Sequence, residues 1–223
     1  MTHKKLLSPL QNIVLFNGLI KLSGLFKLSF IVGSHIAFFS AVAVITPLAG
    51  AFAGITGSLG VFGVSILLRA LLMGSMPFHF LAYHIPGLFA SVHWATQSKI
   101  VRIAPALLCM ALFIVHPIGS GAALYSLFWL IPVYTTLLAT ETVFSRALGS
   151  TFTAHAVGSV IWLYTVPMAS DQWLSLMPVV VVERALFTVG MMAAYTVIKY
   201  GLNLKLNILR YKKLRFFTQD ERN

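Results

Sequence analysis

Charge is the commodity this chain has least of. Only 9% of its 223 residues are Asp, Glu, Lys or Arg, against 58% hydrophobic, which leaves too few polar side chains to cover a water-soluble globule of this size. Lipid is therefore the expected solvent. Cysteine is almost missing as well: Cys109 stands alone in an apolar run, so no disulfide forms within the chain and the thiol reads as a small core residue. No Gly-x-x-x-x-Gly-Lys-[Ser/Thr] phosphate loop occurs, so the chain has no such ATPase site, and no cofactor or metal is expected. The apolar start is interrupted by Lys21 and Lys27 and shows no small-residue cleavage site, so it reads as retained rather than as a signal peptide.

What is present is a nearly unbroken succession of apolar stretches from Leu28 to Lys199, leaving no room for a separate soluble domain. Seven segments can be marked: Leu28 to Leu48, Ala49 to Leu72, Pro77 to Ala95, Ile103 to Pro117, Ala122 to Ala139, Ser150 to Met168 and Trp173 to Ile198. The net charge of +11 would suggest nucleic acid in a soluble protein, but here the cations gather at the ends and in short loops. No nucleic-acid partner is expected. Short loops rich in Lys and Arg stay in the cytoplasm, and this rule reads Lys4, Lys5, Lys21, Lys27, Arg69, Lys99, Arg102, Arg146 and the tail as inside. The rule is met only if Pro77 to Ala95 enters and leaves on one face. Pro77, Pro86, Gly87 and the histidines His79, His84 and His93 suit a re-entrant or interfacial segment.

The expectation is thus an all-α integral membrane protein, a bundle of six transmembrane helices plus one re-entrant or interfacial segment, with seven spans as the alternative. Residues 1–27 form an amphipathic membrane-surface segment, 28–199 the transmembrane domain and 200–223 a basic cytoplasmic tail. Both termini are cytoplasmic and the location is the inner (cytoplasmic) membrane. Pro9 to Phe26 and Gly201 to Phe217 mix cations with Leu, Ile and Phe at helical spacing and read as surface helices. Small residues recur at Ala37, Ala41, Gly50, Gly54, Gly57, Gly60 and Gly63, marking close helix contacts within the chain or with a partner.

Few residues carry chemistry inside such a bundle. Glu183 and Arg184 sit mid-span between Val179 to Val182 and Ala185 to Val189, where each charge costs on the order of 3 kcal/mol. Adjacent helical positions point about 100° apart, so each is expected to find its own partner. Glu183 is the candidate for a polar site and an ion pair locking the last span is the alternative. His155 lies in a seam of small polar residues, Thr151-Phe-Thr-Ala-His-Ala-Val-Gly-Ser159, where it serves either packing or ligand and proton handling. Tyr125, Trp129, Trp162, Tyr164 and Trp173 share a depth and read either as walls of a ligand site or as an interfacial belt.

The pattern from Leu28 to Ile198 resembles the substrate-binding S components of energy-coupling factor (ECF) transporters, small hydrophobic proteins that capture vitamins or similar micronutrients. Ala37-Phe-Phe-Ser-Ala41 stands where that family has an Ala-x-x-x-Ala contact to its transmembrane coupling subunit, and Pro47-Leu-Ala-Gly-Ala-Phe-Ala-Gly54 is similar to its second helix. The resemblance implies a non-enzymatic small-molecule-binding subunit, with Glu183, Tyr125, Trp129, Trp162, Tyr164 and His155 as ligand contacts. It also implies Ala37 and Ala41 as the partner face, and a coupling subunit and ATPase subunits as partners. A structural or assembly subunit without ligand is the competing reading. An intramembrane serine protease is the remote one: Gly119-Ser-Gly-Ala122 and His155-Ala-Val-Gly158 are similar to rhomboid motifs, but position 118 is Ile where that family has Gly.

Overall fold

Helix caps and glycine breaks divide the apolar sequence into rods. The structure, a computed structural model, describes residues 7–29, 39–73 and 78–220. Helix α1 (Pro9–Ser23) starts on a reciprocal cap in which the Ser8 hydroxyl accepts from the Gln11 N–H at 3.3 Å and the Gln11 side chain accepts from the Ser8 N–H at 3.0 Å. Pro9 fits because the first turn needs no N–H donor there. A short antiparallel hairpin, β1 (Lys27–Ser29) with β2 (Phe39–Ser40), leads into α2 (Val42–Met73). Then come α3 (Phe78–Ala95), α4 (Lys99–Val115), the short α5 (Pro117–Gly121), a 3-10 turn Ala123–Trp129, α6 (Leu130–Leu137), α7 (Val143–Thr165), α8 (Ser170–Ser175) and α9 (Met177–Asp220).

The first expected span, Leu28 to Leu48, is not one helix. Lys27–Ser29 and Phe39–Ser40 are extended and helix begins only at Val42. Ala41 sits in the turn before α2, and Ala37 lies outside the described residues. Because Phe39 and Ser40 between them are extended, the Ala37–Ala41 spacing does not make one helical face. Helix α2 is itself broken at Gly54, whose φ of 70° and ψ of −169° are open to glycine alone among the common residues. A straight helix would hold Val42 and Leu72 about 45 Å apart, yet both line one cavity beside Gly24. The arms 42–53 and 55–73 therefore run back along one another.

Neighbour contacts give every rod its direction. Along arm 42–53, Thr46 lies at Gly87 and Gly50 lies against the Ser91 carbonyl, so this arm runs parallel to α3, while Ser58 of the returning arm also meets Ser91. A Cβ at Gly50 would collide with that carbonyl, which is why glycine stands at this crossing. Helix α1 runs alongside the returning arm, with Ile13 at Gly60 and Asn17 Oδ1 3.0 Å from the Ser65 hydroxyl. Of the small-residue positions, Gly50 and Gly60 thus serve contacts within the chain. Helix α1 packs into the bundle, with Phe16 fully buried, rather than standing apart as a surface helix.

Helix α3 is continuous and joins two differently charged ends. Tyr83 and His84 near its start share a cavity with Lys21 and Arg69, whereas its last carbonyls meet Arg102 and Arg146. The re-entrant reading of Pro77 to Ala95 required Arg69 and Arg102 on one face, and the structure separates them by the length of this helix, about 27 Å. Pro86 is absorbed within it. At the Arg102 end, Arg146 donates to the carbonyls of Trp94 at 2.9 Å and Thr96 at 2.7 Å and to the Gln97 side chain at 2.8 Å, while Arg102 Nε donates to Thr96 at 3.0 Å. Two guanidinium groups so satisfy the orphan carbonyls that end α3. Helix α9 continues without a break through Gly201 to Asp220, so the tail prolongs the last helix instead of beginning a separate one.

Two helices are long and apolar enough to cross a membrane, Val42–Leu72 with mean hydropathy 1.9 and Met177–Leu204 with 1.6, the first counted across its break at Gly54. The distribution of side chains is inverted relative to a protein folded in water. Exposed positions on α4 and α9 are Ile100, Leu108, Val115, Val182, Val189 and Val197, whereas α7 buries Ser145, Arg146, Ser150, Thr151, Thr153 and Ser159. The buried hydroxyls find carbonyl or hydroxyl partners, as in Ser150 to Ala90 at 3.0 Å and Ser58 with Ser91 at 2.7 Å.

Candidate ligand-binding site

At the end of the bundle away from Arg102 and Arg146, the 3-10 turn, α4, α7, α8 and α9 converge on a nest of rings. The turn places Tyr125, Ser126 and Trp129 inward at intervals that a tight helix puts on one face. Phe113 from α4 meets Trp129 edge to face at 5.1 Å between centroids, Trp173 at 5.3 Å and Tyr125 at 5.7 Å. From α7, His155 stands 5.4 Å from Tyr125 and 6.4 Å from Trp129, with Phe152 behind it. Trp129, Tyr125 and Trp173 are at most 2% exposed.

The polar content of this nest is unusual for its burial. The Tyr125 hydroxyl lies 3.5 Å from the Ser159 hydroxyl. The indole N–H groups of Trp129 and Trp173, the His155 Nε2 and one carboxylate oxygen of Glu183 have no hydrogen-bond partner among the described residues. Leaving such a group unsatisfied costs about 1–3 kcal/mol, so four in one neighbourhood call for an explanation. Their types complement each other: two obligate donors, one acceptor, and an imidazole nitrogen that takes either role by tautomer. Ring faces with that set of polar atoms can hold a small flat solute carrying both donors and acceptors.

Glu183 and Arg184 do not take separate partners, as their angular spacing suggested. They pair with each other, Arg184 Nη2 lying 3.5 Å from Glu183 Oε2, and both are buried. Arg184 also approaches the Thr151 hydroxyl at 3.4 Å and lies over the Phe187 ring at 4.7 Å. It is close enough to act electrostatically on both Tyr125 and His155. Glu141, the other carboxylate considered for Arg184, is engaged at the opposite end by Arg146 and, at 3.7 Å, by Arg102.

Of the sequence candidates, Tyr125, Trp129 and His155 are brought together by ring contacts and Glu183 reaches them through Arg184. Trp162 and Tyr164 are not: both are exposed, and the Tyr164 hydroxyl donates to the Leu112 carbonyl at 2.9 Å while its ring meets His116. Trp173, Phe113 and Phe152 belong to the nest although sequence alone did not select them, Trp173 having the signature of an interfacial belt. Ser120, of the protease-like motif, is exposed and donates to the Pro117 carbonyl at 2.8 Å, whereas His155 is enclosed by rings. No group of three or more potential metal ligands gathers among the described residues. No protein-family model, no curated protein and no solved structure matches the chain.

Proposed function

We propose that the chain is a multi-pass membrane protein that binds a small, flat, polar-aromatic solute in the nest around Tyr125, Trp129, His155, Trp173 and Glu183. The observation that carries this reading is the group of four unpartnered buried polar atoms in one aromatic neighbourhood. A bound solute repays a buried orphan by completing its hydrogen bond, and the surrounding rings supply apolar contact. The apolar outward faces of α4 and α9 support a lipid setting.

On this proposal the end bearing Lys99, Arg102, Arg146 and Lys199 faces the cytoplasm, as the charge rule favours. Lys21 and Arg69 are then exceptions at the far face. The nest opens toward that far side, which suits capture of a nutrient from outside, and uptake would draw its energy from separate coupling and ATPase subunits of the S-component kind. The alanine pair no longer marks where such a coupling subunit docks.

Purified protein titrated with a panel of heteroaromatic vitamins and nucleobases, read by tryptophan fluorescence and by native mass spectrometry, tests the site. A retained compound whose binding weakens about tenfold in both Trp129→Phe and Glu183→Gln is the expected result. Binding that is unchanged in the double variant would place the solute elsewhere, and no binding across the panel would leave the ligand-free structural role as the better account.

A further inference from the structure

A second site lies at the same end of the molecule but between α1, α2 and α3. A cavity of about 290 Å³ is lined by Asn17, Lys21, Ser65, Arg69, Tyr83 and His84 together with apolar neighbours. Its polar lining is built rather than incidental: Asn17 and Ser65, from two helices, hydrogen-bond at 3.0 Å, and the Asn17 amide donates to the Ile13 carbonyl at 3.0 Å. Lys21 and Arg69 are thereby carried on neighbouring, parallel rods at one level.

The charge around this cavity cannot be balanced from nearby sequence. The chain has five acidic residues, and none precedes Glu141. Glu141 is bound by Arg146 at the opposite end, Glu183 is paired with Arg184 in the aromatic nest, Asp171 belongs to α8, and the remaining two, Asp220 and Glu221, close the tail. Every carboxylate of the protein is thus placed away from α1, α2 and α3. Two fixed cations, a histidine, a phenol, a hydroxyl and an amide around one open cavity form a donor-rich lining with no anion of its own.

We propose that this cavity binds a phosphate-bearing anion, supplied either as the headgroup of an anionic phospholipid or as free phosphate. Lys21 and Arg69 provide the charge, with Arg69 able to grip two phosphate oxygens at once. Ser65, Tyr83 and His84 provide further donors. The position at helix ends puts the cavity at headgroup depth in a bilayer.

The test uses the full chain reconstituted in nanodiscs of phosphatidylglycerol and phosphatidylcholine in equal amounts, then released for native mass spectrometry, with equilibrium dialysis against radiolabelled inorganic phosphate as the second arm. Selective retention of phosphatidylglycerol assigns the lipid source, and phosphate binding in dialysis assigns the free one. In either case Lys21→Gln with Arg69→Gln weakens binding about tenfold, while Lys21→Arg with Arg69→Lys, which keeps the charge, largely preserves it. Thermal unfolding of each variant separates lost binding from lost fold. Retention of neither probe by the wild-type chain, or equal retention by a folded charge-free variant, overturns the proposal.

Discussion

Replacing Arg146 by Met removes the clamp that closes α3. The guanidinium donates to the Trp94 and Thr96 carbonyls and to the side chains of Gln97 and Glu141. Thr96 keeps two donors from Arg102, at 3.0 and 2.8 Å, so the acceptor left bare is the Trp94 carbonyl. A hydrogen bond from a charged donor contributes about 1.5–3 kcal/mol and an orphaned buried carbonyl costs about 1–3 kcal/mol. Glu141, whose side chain is 56% exposed, adds only about 0.2–1 kcal/mol because solvent screens it. The expected loss is about 3 kcal/mol, or roughly 6–12 °C in the melting temperature of a chain this long, read by scanning fluorimetry in one detergent. Arg146→Lys falls between, since an ammonium reaches one carbonyl but lacks the fork. A drop below about 2 °C for Arg146→Met, or an equal drop for Glu141→Gln, would refute the assignment of the clamp.

Three other outcomes follow from the same geometry. The hydrogen bond from Arg146, aided by the charges of Arg146 and Arg102, holds the Glu141 carboxyl below the usual glutamate range. Its contribution is therefore complete above the unfolded value and fades as pH falls through the lowered folded value, so Glu141→Gln should flatten the acid limb of a melting-temperature profile below about pH 4 and leave neutral pH nearly unchanged. Gly54→Ala should cost about 1–3 kcal/mol in chemical denaturation although no atom would touch the new methyl, because the backbone there is closed to L-residues. Gly63→Ala, equally uncrowded but without that backbone, should be neutral or stabilising by up to about 1 kcal/mol. Gly149→Val should unfold more readily than any of these, since even a Cβ would stand 2.6 Å from both His93 Nε2 and the Thr135 hydroxyl.

The sequence disclosed the lipid-like exterior and several members of the aromatic nest for a common reason: both depend on residue type more than on chain path. A mid-span Glu, a His in a polar seam and inward aromatics are costly in hydrocarbon wherever the helices lie, so Glu183, His155, Tyr125 and Trp129 stood out. Chain path was less legible. Gly54 reverses the chain inside an unbroken apolar run, with no polar residue to announce a loop, so counting apolar lengths gave the wrong helix boundaries around Leu28 to Leu72. Lys21 and Arg69 lie at the opposite end from Arg102 and Arg146, and a rule that sorts cations by loop assigned all four to one face. The Glu183–Arg184 pairing was hidden because angular spacing on a helix ignores the reach of an arginine, whose long side chain can bend back to its neighbour. Trp173 was missed because a belt tryptophan and a buried one are identical in sequence.

The Gly54 reversal bears on how the protein is made. Ribosome-bound insertion machinery meets residues 42–72 as one greasy stretch, long enough to be threaded as a single crossing, and only afterwards can the two arms close against each other. Orientation of everything downstream hangs on that closure. A stiffer residue at the bend would favour the straight, single-crossing intermediate and send α3 and its successors into the bilayer upside down, an error of biogenesis rather than of stability.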